Sequence, residues 1–473
     1  MNADDIAWAQ ATELRDLLVA GDVSVVEVAT VFADRIEALN PQLNAYVYFD
    51  RSTVLADAAE LDARRERGEN LGPLHGVPYS IKCLTDVAGL PGTLALKPFA
   101  DRVAERDEVV VRRMREAGGL FLGLTNAPEA GYYGGTNSHL YGPTHNPWAH
   151  DQTAGGSSGG AAAAVAAGLS PLSQGTDGGG SVRIPASLCG VVGFKPSLGR
   201  IPQRITLSRA ATNLFHGPLT RTVDDAALMY DVVTGPDSSD FLSLPAEAPI
   251  ASAIRPTPER LRIAYSPDLG TGYHIDPEVA SVARAAAEAF SELGASVVEA
   301  TPPWHDLEKV MWEGVWVPGY AGLHDAADWR SLRGEVDDNL IELVLASEKL
   351  TEVDFGRADV GRGMAYDTFD TFMQDFDLLL SPTLTSAAFP LSQFAPSWVG
   401  PSVREQILGW LLTYPFNMLP MPAISVPAGF TSDGRPVGLQ IAGRHLADAT
   451  VLAAARAFET ARPWQQHRPQ MAV

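Results

Sequence analysis

The chain has 473 residues, 46% hydrophobic and 19% charged, which is ordinary material for a large globular core. Its net charge of −22 argues against nucleic acid and anionic membrane surfaces as partners, because polyphosphate binding needs clustered Lys and Arg. Two cysteines, Cys83 and Cys189, form neither a disulfide framework nor a cysteine-rich zinc site, so reduced cytosol is the expected location.

The first residues, MNADDIAWAQATELRD, lack the basic start and apolar run of a signal peptide, and no stretch reaches the ~18 apolar residues of a membrane span. Ser24 and Glu27 make a capping box that opens an amphipathic helix expected to run through Leu39, with Asn40-Pro41 closing it. Further helices are expected near 53–67 and over 107–117, the latter ending in Gly118-Gly119. FLGLTN (121–126) reads as a buried strand, as does LRIAYS (261–266). A helix near 277–294 and the segment ASVVEA follow. DLLLSP (377–382), AISVPAGF (423–430) and PVGLQIAG (436–443) are strand-like, and 448–461 is a closing helix. Strands alternating with helices point to α/β layers. The Pro- and Ser-rich stretch 234–260 has linker composition and reads as a long surface excursion.

The chemistry concentrates in AGGSSGGAAAAVAAGLSPLSQGTDGGGSVRIPASLCG (154–190). A Walker phosphate loop would need Gly-Lys-Ser/Thr, and a dinucleotide loop G-x-G-x-x-G with a later acid; neither fits. Gly155-Gly156-Ser157-Ser158-Gly159 matches the G-x-S-x-G serine elbow, but polar AHDQTA (149–154) precedes it instead of a buried strand. No histidine, among them His216, His274, His305, His324, His445 and His467, sits in a recognisable acid–histidine context. In GTDGGGS (175–181), three glycines before a serine allow successive N–H groups to converge on an oxyanion. The same run reads equally as a flexible turn. The balance tips with GVPYSIKCLTDVAG (76–89), where Lys82 lies in an apolar strand-like segment. A buried lysine loses its proton readily and supplies the missing acceptor for a serine proton.

Together these segments resemble the amidase signature family of serine hydrolases. The similarity runs through GVPYSIK and DVAGLPGT (76–93), GPTHNPW (142–148), the 155–196 stretch, GPLTRTVDDAAL (217–228) and MPAISVPAGFTSDGRPVGLQIAGR (421–444). The resemblance implies one α/β domain over 1–473, with a large mixed sheet covered by helices on both faces. The family-like core would be about 70–230 and 375–460, with a variable, substrate-shaping region about 235–420. It implies a Ser–Ser–Lys triad: nucleophile Ser181, bridging serine Ser157 after a cis Gly156–Ser157 bond, and base Lys82. Ser181 follows Ser157 by 24 residues and Lys82 precedes it by 75, spacings typical of the family. The amides of Gly178, Gly179, Gly180 and Ser181 would form the oxyanion hole, with Asp177 and Arg183 bracing the loop. Moving Lys82 from about 10.4 to about 8 asks roughly 3 kcal/mol of its surroundings, which burial supplies. The helix Ala161–Ala167 would begin near Ser157 and close at Gly168.

The chain departs from the family wording at Cys83, read as a buried inert thiol, and at Gln152, Ala154 and 131–139. The region of Gly131, Tyr132 and Tyr133 would line the acyl site, with aromatic surface added by MWEGVWVPGY (311–320) and Trp398. An apolar or aryl amide is therefore the expected substrate, with esters, anilides and carbamates (urethanes) as related ones. The alternative is the amidase component of a glutamine-dependent tRNA amidotransferase. No cofactor is implied, the state is monomer or homodimer, and no His and carboxylate ligands are seen at metal spacing, so no metal is expected.

Overall fold

The structure, a computed structural model, describes residues 1–204, 211–252 and 258–471. Eleven strands form one mixed sheet: β1 (Tyr46–Phe49), β2 (Pro78–Lys82), β3 (Leu120–Thr125), β4 (Leu172–Asp177), β5 (Val192–Lys195), β6 (Phe215–Thr220), β7 (Arg262–Tyr265), β8 (Ser296–Glu299), β9 (Leu378–Pro382), β10 (Ala423–Phe430) and β11 (Pro436–Gly443). Their order is β1-β3-β2-β4-β6-β5-β10-β11-β9-β7-β8. β2 runs parallel to β3 and β4, and β7 runs parallel to β8 and β9; the other pairs are antiparallel.

Both faces are covered, as expected of this fold class. Side chains alternate between faces along a strand, and here they alternate between two cores. Ile263 and Tyr265 of β7, Leu378 and Leu380 of β9, and Leu439 and Ile441 of β11 join one core. Ala264, Leu379 and Ala442 join the other. The closing helix Asp448–Ala461 packs its Val451 and Leu452 into the first core. The helix Arg183–Cys189 presents Ile184 and Leu188 to the second, which also takes Trp304, Trp316, Trp410 and Phe416. Strands buried on both faces carry apolar runs in place of alternation, which is why LLLSP and GLQIAG are so uniformly hydrophobic.

The first long helix differs from expectation. It spans Val25–Leu43, continuing through Pro41. Pro41 and Glu37 are exposed, so the amide bond lost to proline lies on the solvent side. Buried Leu43 anchors the last turn, and Asn44, at φ 50°, caps it by donating its N–H to Asn40 O at 2.7 Å. The linker-like stretch 234–260 falls partly outside the described residues. Its described part is tied back to the body, Arg113 donating to the carbonyls of Val233, Gly235 and Pro236 and the amides of Ile250 and Ala251 to Asp231. Among the described residues no helix is long and apolar enough to cross a membrane.

Candidate active site

Lys82 ends β2, a strand walled on both sides by parallel neighbours, and its side chain is fully buried. The backbone is pinned there: the Lys82 amide donates to Gln174 Oε1 at 3.2 Å and the Cys83 amide to Thr125 O at 2.9 Å. Lys82 Nζ donates to Ser157 Oγ at 2.6 Å and Thr176 Oγ1 at 2.9 Å. Burial lowers its pKa to about 7, against the smaller opposing pulls of the Cys83 thiol and Asp177. Near neutral pH such an amine exists substantially in the base form. The same burial pushes the Cys83 thiol up to about 12, which leaves it inert, as expected from the sequence.

Ser157 follows a cis peptide bond to Gly156. Gly156 admits no side chain, since a Cβ there would lie 1.8 Å from the Gly135 carbonyl oxygen. Ser158 ties the two serine loops together: its amide donates to Ser181 O at 3.2 Å and its hydroxyl to Thr176 O at 3.2 Å. The alanine helix begins two residues earlier than expected, at Gly159, and ends at Ala166. Gly168, at φ 67°, follows its last turn.

Ser181 lies just beyond the carboxyl end of β4, next to the end of β2, where open parallel sheets place their ligands. Asp177 organises this loop. Its carboxylate accepts from the Gly180 amide (2.8 Å), the Val182 amide (3.1 Å), Arg183 Nε and Nη2 (3.0 and 2.9 Å) and Asn417 Nδ2 (2.8 Å). Burial pushes this carboxyl up, but the Arg183 charge and hydrogen bonds, with Asn417 and Lys195, outweigh it and hold the pKa at about 2. Arg183 is itself fully buried and donates to Thr413 O, Gln440 Oε1 and Asn417 Oδ1. Thr413 closes the far side by donating its hydroxyl to Gly179 O at 2.6 Å. Gly180 has φ 129°, and a Cβ on it would lie 2.0 Å from Thr413 Oγ1.

The expected oxyanion set is thereby divided. The Gly180 amide is engaged by Asp177, because the carboxylate that braces the loop needs a donor from its tightest turn. Among the described residues the amides of Gly178, Gly179 and Ser181 have no such partner. No hydrogen bond joins the Ser181 and Ser157 hydroxyls in this arrangement, although both residues are buried and the Ser158 amide donates to Ser181 O.

Gly131, at φ 70°, abuts the centre: a Cβ there would lie 3.3 Å from Ser157 Oγ. The neighbouring tyrosines separate. Tyr132, expected to line the acyl site, is fully buried in the second core, its ring packed against Tyr133 (4.8 Å between centroids). Tyr133 stacks on Phe394 at 4.3 Å and 16°. The aromatic segment around 311–320 does reach the centre, through Met311 and Trp316. Cβ positions built on Gly178 and Gly179 would lie 3.5 and 3.3 Å from the Trp316 ring, and that on Gly179 3.7 Å from Met311 Cε. Tyr320 packs against Trp316 (5.6 Å) and donates to Ala130 O at 3.1 Å, beside Gly131. Trp398 lies elsewhere, exposed against His274. His216 is a buried packing residue bonded to Gln174 (2.8 Å), not a member of the centre.

Thr176, Thr413, Asn417 and Trp316 escaped the sequence reading as individual residues. Thr176 is two residues from Gln174 along β4, on the face that meets Lys82, and that spacing is the one local signal among the four. The expectation that no histidines and carboxylates stand at metal spacing also needs correction. His145, His150 and Asp151 bring their ligating atoms within 4.8 Å of one another, because a turn folds 150–151 back over 145.

A model of the family described as Amidase matches residues 27–452. The chain is 57% identical to an acylamidase of Rhodococcus erythropolis, covering 99% of this chain and 98% of that one. It is 35% identical to a glutamyl-tRNA(Gln) amidotransferase subunit of Moorella thermoacetica, over 99% and 100% of the two chains. Among solved structures, a bacterial aryl acylamidase of the amidase signature family superposes with a TM-score of 0.89 at 33% identity, covering 97% of each chain. The chain belongs to the amidase signature family. Its activity is that of an amidase, the hydrolysis of amide C–N bonds.

Proposed function

We propose that this chain is a stand-alone amidase for apolar and aryl acyl amides, working through an acyl-enzyme on Ser181. The observation that carries the reading is the 2.6 Å contact between a fully buried Lys82 and Ser157 Oγ, beside the glycine loop that ends in Ser181. Neutral Lys82 takes the Ser157 proton as Ser157 takes that of Ser181, and the Ser181 oxygen attacks the carbonyl carbon. The oxyanion that forms accepts from the amides of Gly178, Gly179 and Ser181, already held in place by Asp177 and Thr413. The proton returns along Ser157 to the nitrogen, the C–N bond breaks and the amine leaves neutral. Water then cleaves the acyl-Ser181 ester by the same relay. Amines leave poorly unless protonated, so a two-step shuttle suits amides above activated esters.

Met311, Trp316 and Tyr133 wall the acyl side with apolar and aromatic surface, which favours aryl and alkyl acyl groups over small polar ones. The names of the acylamidase and aryl acylamidase relatives agree with that preference. Aryl esters and carbamates present the same carbonyl and fit the same reading. The identity gap, 57% against 35%, supports an amidase acting alone over a component of an amidotransferase. The reading takes the chain as one domain, acting in the cytosol as a monomer or homodimer without a cofactor. A hydrolysis screen across acyl anilides, primary amides, aryl esters and aryl carbamates tests it, combined with mass spectrometry of the phosphonate-inactivated protein. An anilide preference with the label on Ser181 is expected. A label on Ser157, or glutamine as best substrate by kcat/KM, overturns it.

A further inference from the structure

The turn that abuts Ser157 is held by a carboxylate that the proton relay does not use. Glu129 opens the segment 129–139 and is fully buried. Both of its oxygens accept from the backbone, Oε1 from the His139 amide at 2.9 Å and Oε2 from the Asp337 amide at 2.7 Å. His139 Nδ1 lies 2.8 Å from Oε1 and supplies the third proton, which sets the tautomer of that ring. Burying a carboxylate is costly unless donors surround it, and among the described residues its ion-pair partner is His139 alone. Glu129 therefore closes 129–139 into a loop, first residue bonded to last. It also fastens that loop to the N-cap of the helix Asp338–Ala346 in the variable region.

The backbone inside this loop is what Ser157 rests against. Ala130 and Gly131 both take left-handed conformations, at φ 48° and 70°. That conformation is uncommon for alanine and persists where its surroundings fix it. A Cβ built on Gly131 would lie 3.0 Å from Leu84 Cδ1 and 3.3 Å from Ser157 Oγ, so the turn is a wall of the serine hydroxyl. Further along, Thr136 donates its hydroxyl to Gly155 O at 2.8 Å and accepts from the Gly159 amide at 3.1 Å. The loop thus grips the chain on either side of Ser157. The turn is also tied by the Ala130 amide to Leu94 O (2.8 Å) and by the Tyr320 hydroxyl to Ala130 O (3.1 Å). At position 129 three donors converge, which calls for a group that only accepts. A side-chain amide there would set its NH₂ against an N–H and give up one of the three bonds.

We infer that Glu129 is a positioning residue for Ser157. By clamping the loop to His139 and Asp337 it holds the Ala130–Gly131 backbone against Ser157 Oγ and keeps that hydroxyl 2.6 Å from Lys82 Nζ. The inference rests on the relay proposed above, in which Ser157 passes the proton between Ser181 and Lys82. Glu129 touches neither substrate nor reacting atoms, and no proton passes through it. A loosened turn lets Ser157 swing off the line of the relay. The nucleophile loop, braced separately by Asp177 and Thr413, stays in place. Such a displacement costs most where the leaving group needs a delivered proton.

The test compares Glu129→Gln, His139→Ala and His139→Asn with Ser157→Ala, each assayed on a matched anilide and activated aryl ester, with circular dichroism and Tm recorded. Glu129→Gln should fold and lose about 10–100-fold in anilide kcat, the scale of a displaced group, with KM and aryl-ester turnover held within about threefold. His139→Ala keeps the backbone donor and loses Nδ1, so the same split should be seen at smaller size. His139→Asn, whose side-chain nitrogen stands near the place of Nδ1, should recover most of that loss. Full anilide turnover in Glu129→Gln, equal losses on both substrates, or a loss confined to KM would each overturn the assignment. If Glu129→Gln fails to fold, the His139 pair decides: no split in His139→Ala, or one that His139→Asn does not relieve, overturns it. A split in Ser157→Ala with none in the Glu129 variant defeats this inference alone. No split in Ser157→Ala defeats the relay, and the inference with it.

Discussion

The nucleophile loop and the aromatic arm at 307–321 meet over Gly178 and Gly179, yet they are built on opposite principles. In the loop, position is set by directional bonds: Asp177, Arg183, Asn417 and Thr413 pin the turn from several elements, and each polar group named has a partner. In the arm, position is set by shape. Its backbone passes through a π-type turn at Trp312–Trp316, a feature often found at functional sites, and its contacts with the loop are apolar. The buried Trp316 Nε1 has no acceptor within the described residues. Bonded networks hold atoms to a fraction of an ångström, as oxyanion stabilisation requires. Packed aromatic surfaces select by volume and tolerate change. Substitutions in the first region should therefore remove rate, and those in the second should redistribute it among substrates.

The largest break in that comparison is expected at the nucleophile. Ser181→Ala should lower amide and ester turnover alike by about 10⁴-fold or more, since neither substrate can form an acyl-enzyme. Lys82→Ala and Ser157→Ala should cost amides about 10²–10⁴-fold while sparing aryl esters with good leaving groups, because only the amine needs a delivered proton. Kinetics on matched ester and anilide pairs read the split. Equal losses for both substrates in all three variants would mean that Lys82 does more than move protons.

The bracing network offers the next effect, and it concerns stability. Asp177→Ala leaves a fully buried Arg183 without its carboxylate, and breaking such a pair typically costs about 3–5 kcal/mol. A lowered Tm together with lost activity is the expected outcome. By contrast, Trp316→Leu should lower the Tm less, since it trades one buried apolar side chain for a smaller one and leaves no buried charge unpaired.

What the sequence made legible follows the same division. Apolar runs such as LLLSP and GLQIAG announced β9 and β11, and Ser24 with Glu27 marked the start of a helix correctly. LSQGTD and FHGPLT were missed as β4 and β6. Their Gly, Pro, Ser and His residues carry no strand pattern, and burial on both faces removes alternation as a cue. Lys82 stood out as a lysine in an apolar strand-like segment, Ser157 and Ser181 took their roles from the resemblance to the amidase signature family, and the structure brings Lys82 and Ser157 into contact beside the Ser181 loop. Thr413 could not be found that way, because it reaches Gly179 across 234 residues of chain. Trp316 lies in MWEGVWVPGY (311–320), which composition marked as aromatic surface, but its place over Gly178 and Gly179 depends on packing of the arm. His145, His150 and Asp151 share no helical or strand period, so only the turn between them reveals their proximity.

The pH profile sharpens the comparison from the bonded side. The pKa of Lys82 is lowered to about 7 by burial, so the base form is lost as pH falls through that value. Below about pH 7 amide kcat/KM should fall roughly tenfold per unit, and above it level off, the sign expected of a base that must be neutral. Trp316→Leu should leave this profile in place, because the arm contributes no charge to Lys82. A flat profile from pH 5 to 9 would remove Lys82 as the base.

The smallest and most discriminating effect lies in the arm itself. Trp316 sets its ring against Gly178 and Gly179, and Tyr320 holds the arm to Ala130 by one hydrogen bond at 3.1 Å. Trp316→Leu removes ring surface that an aryl acyl group would otherwise contact, and loss of such apolar contact is worth about 1–3 kcal/mol, or 10–200-fold in kcat/KM. An acetyl group is too short to use that surface, so acetanilide should change by less than about threefold. Tyr320→Phe keeps the ring and loses one neutral hydrogen bond, worth about 0.5–1.5 kcal/mol, so its loss on aryl acyl substrates should be the milder of the two. Measured kcat/KM for a series of acyl anilides, from acetyl to phenylacetyl, separates the outcomes. A loss that grows with acyl size places the arm in selection. A loss of equal size for every substrate would mean that Trp316 holds the oxyanion loop in position, and the two regions would then be one machine.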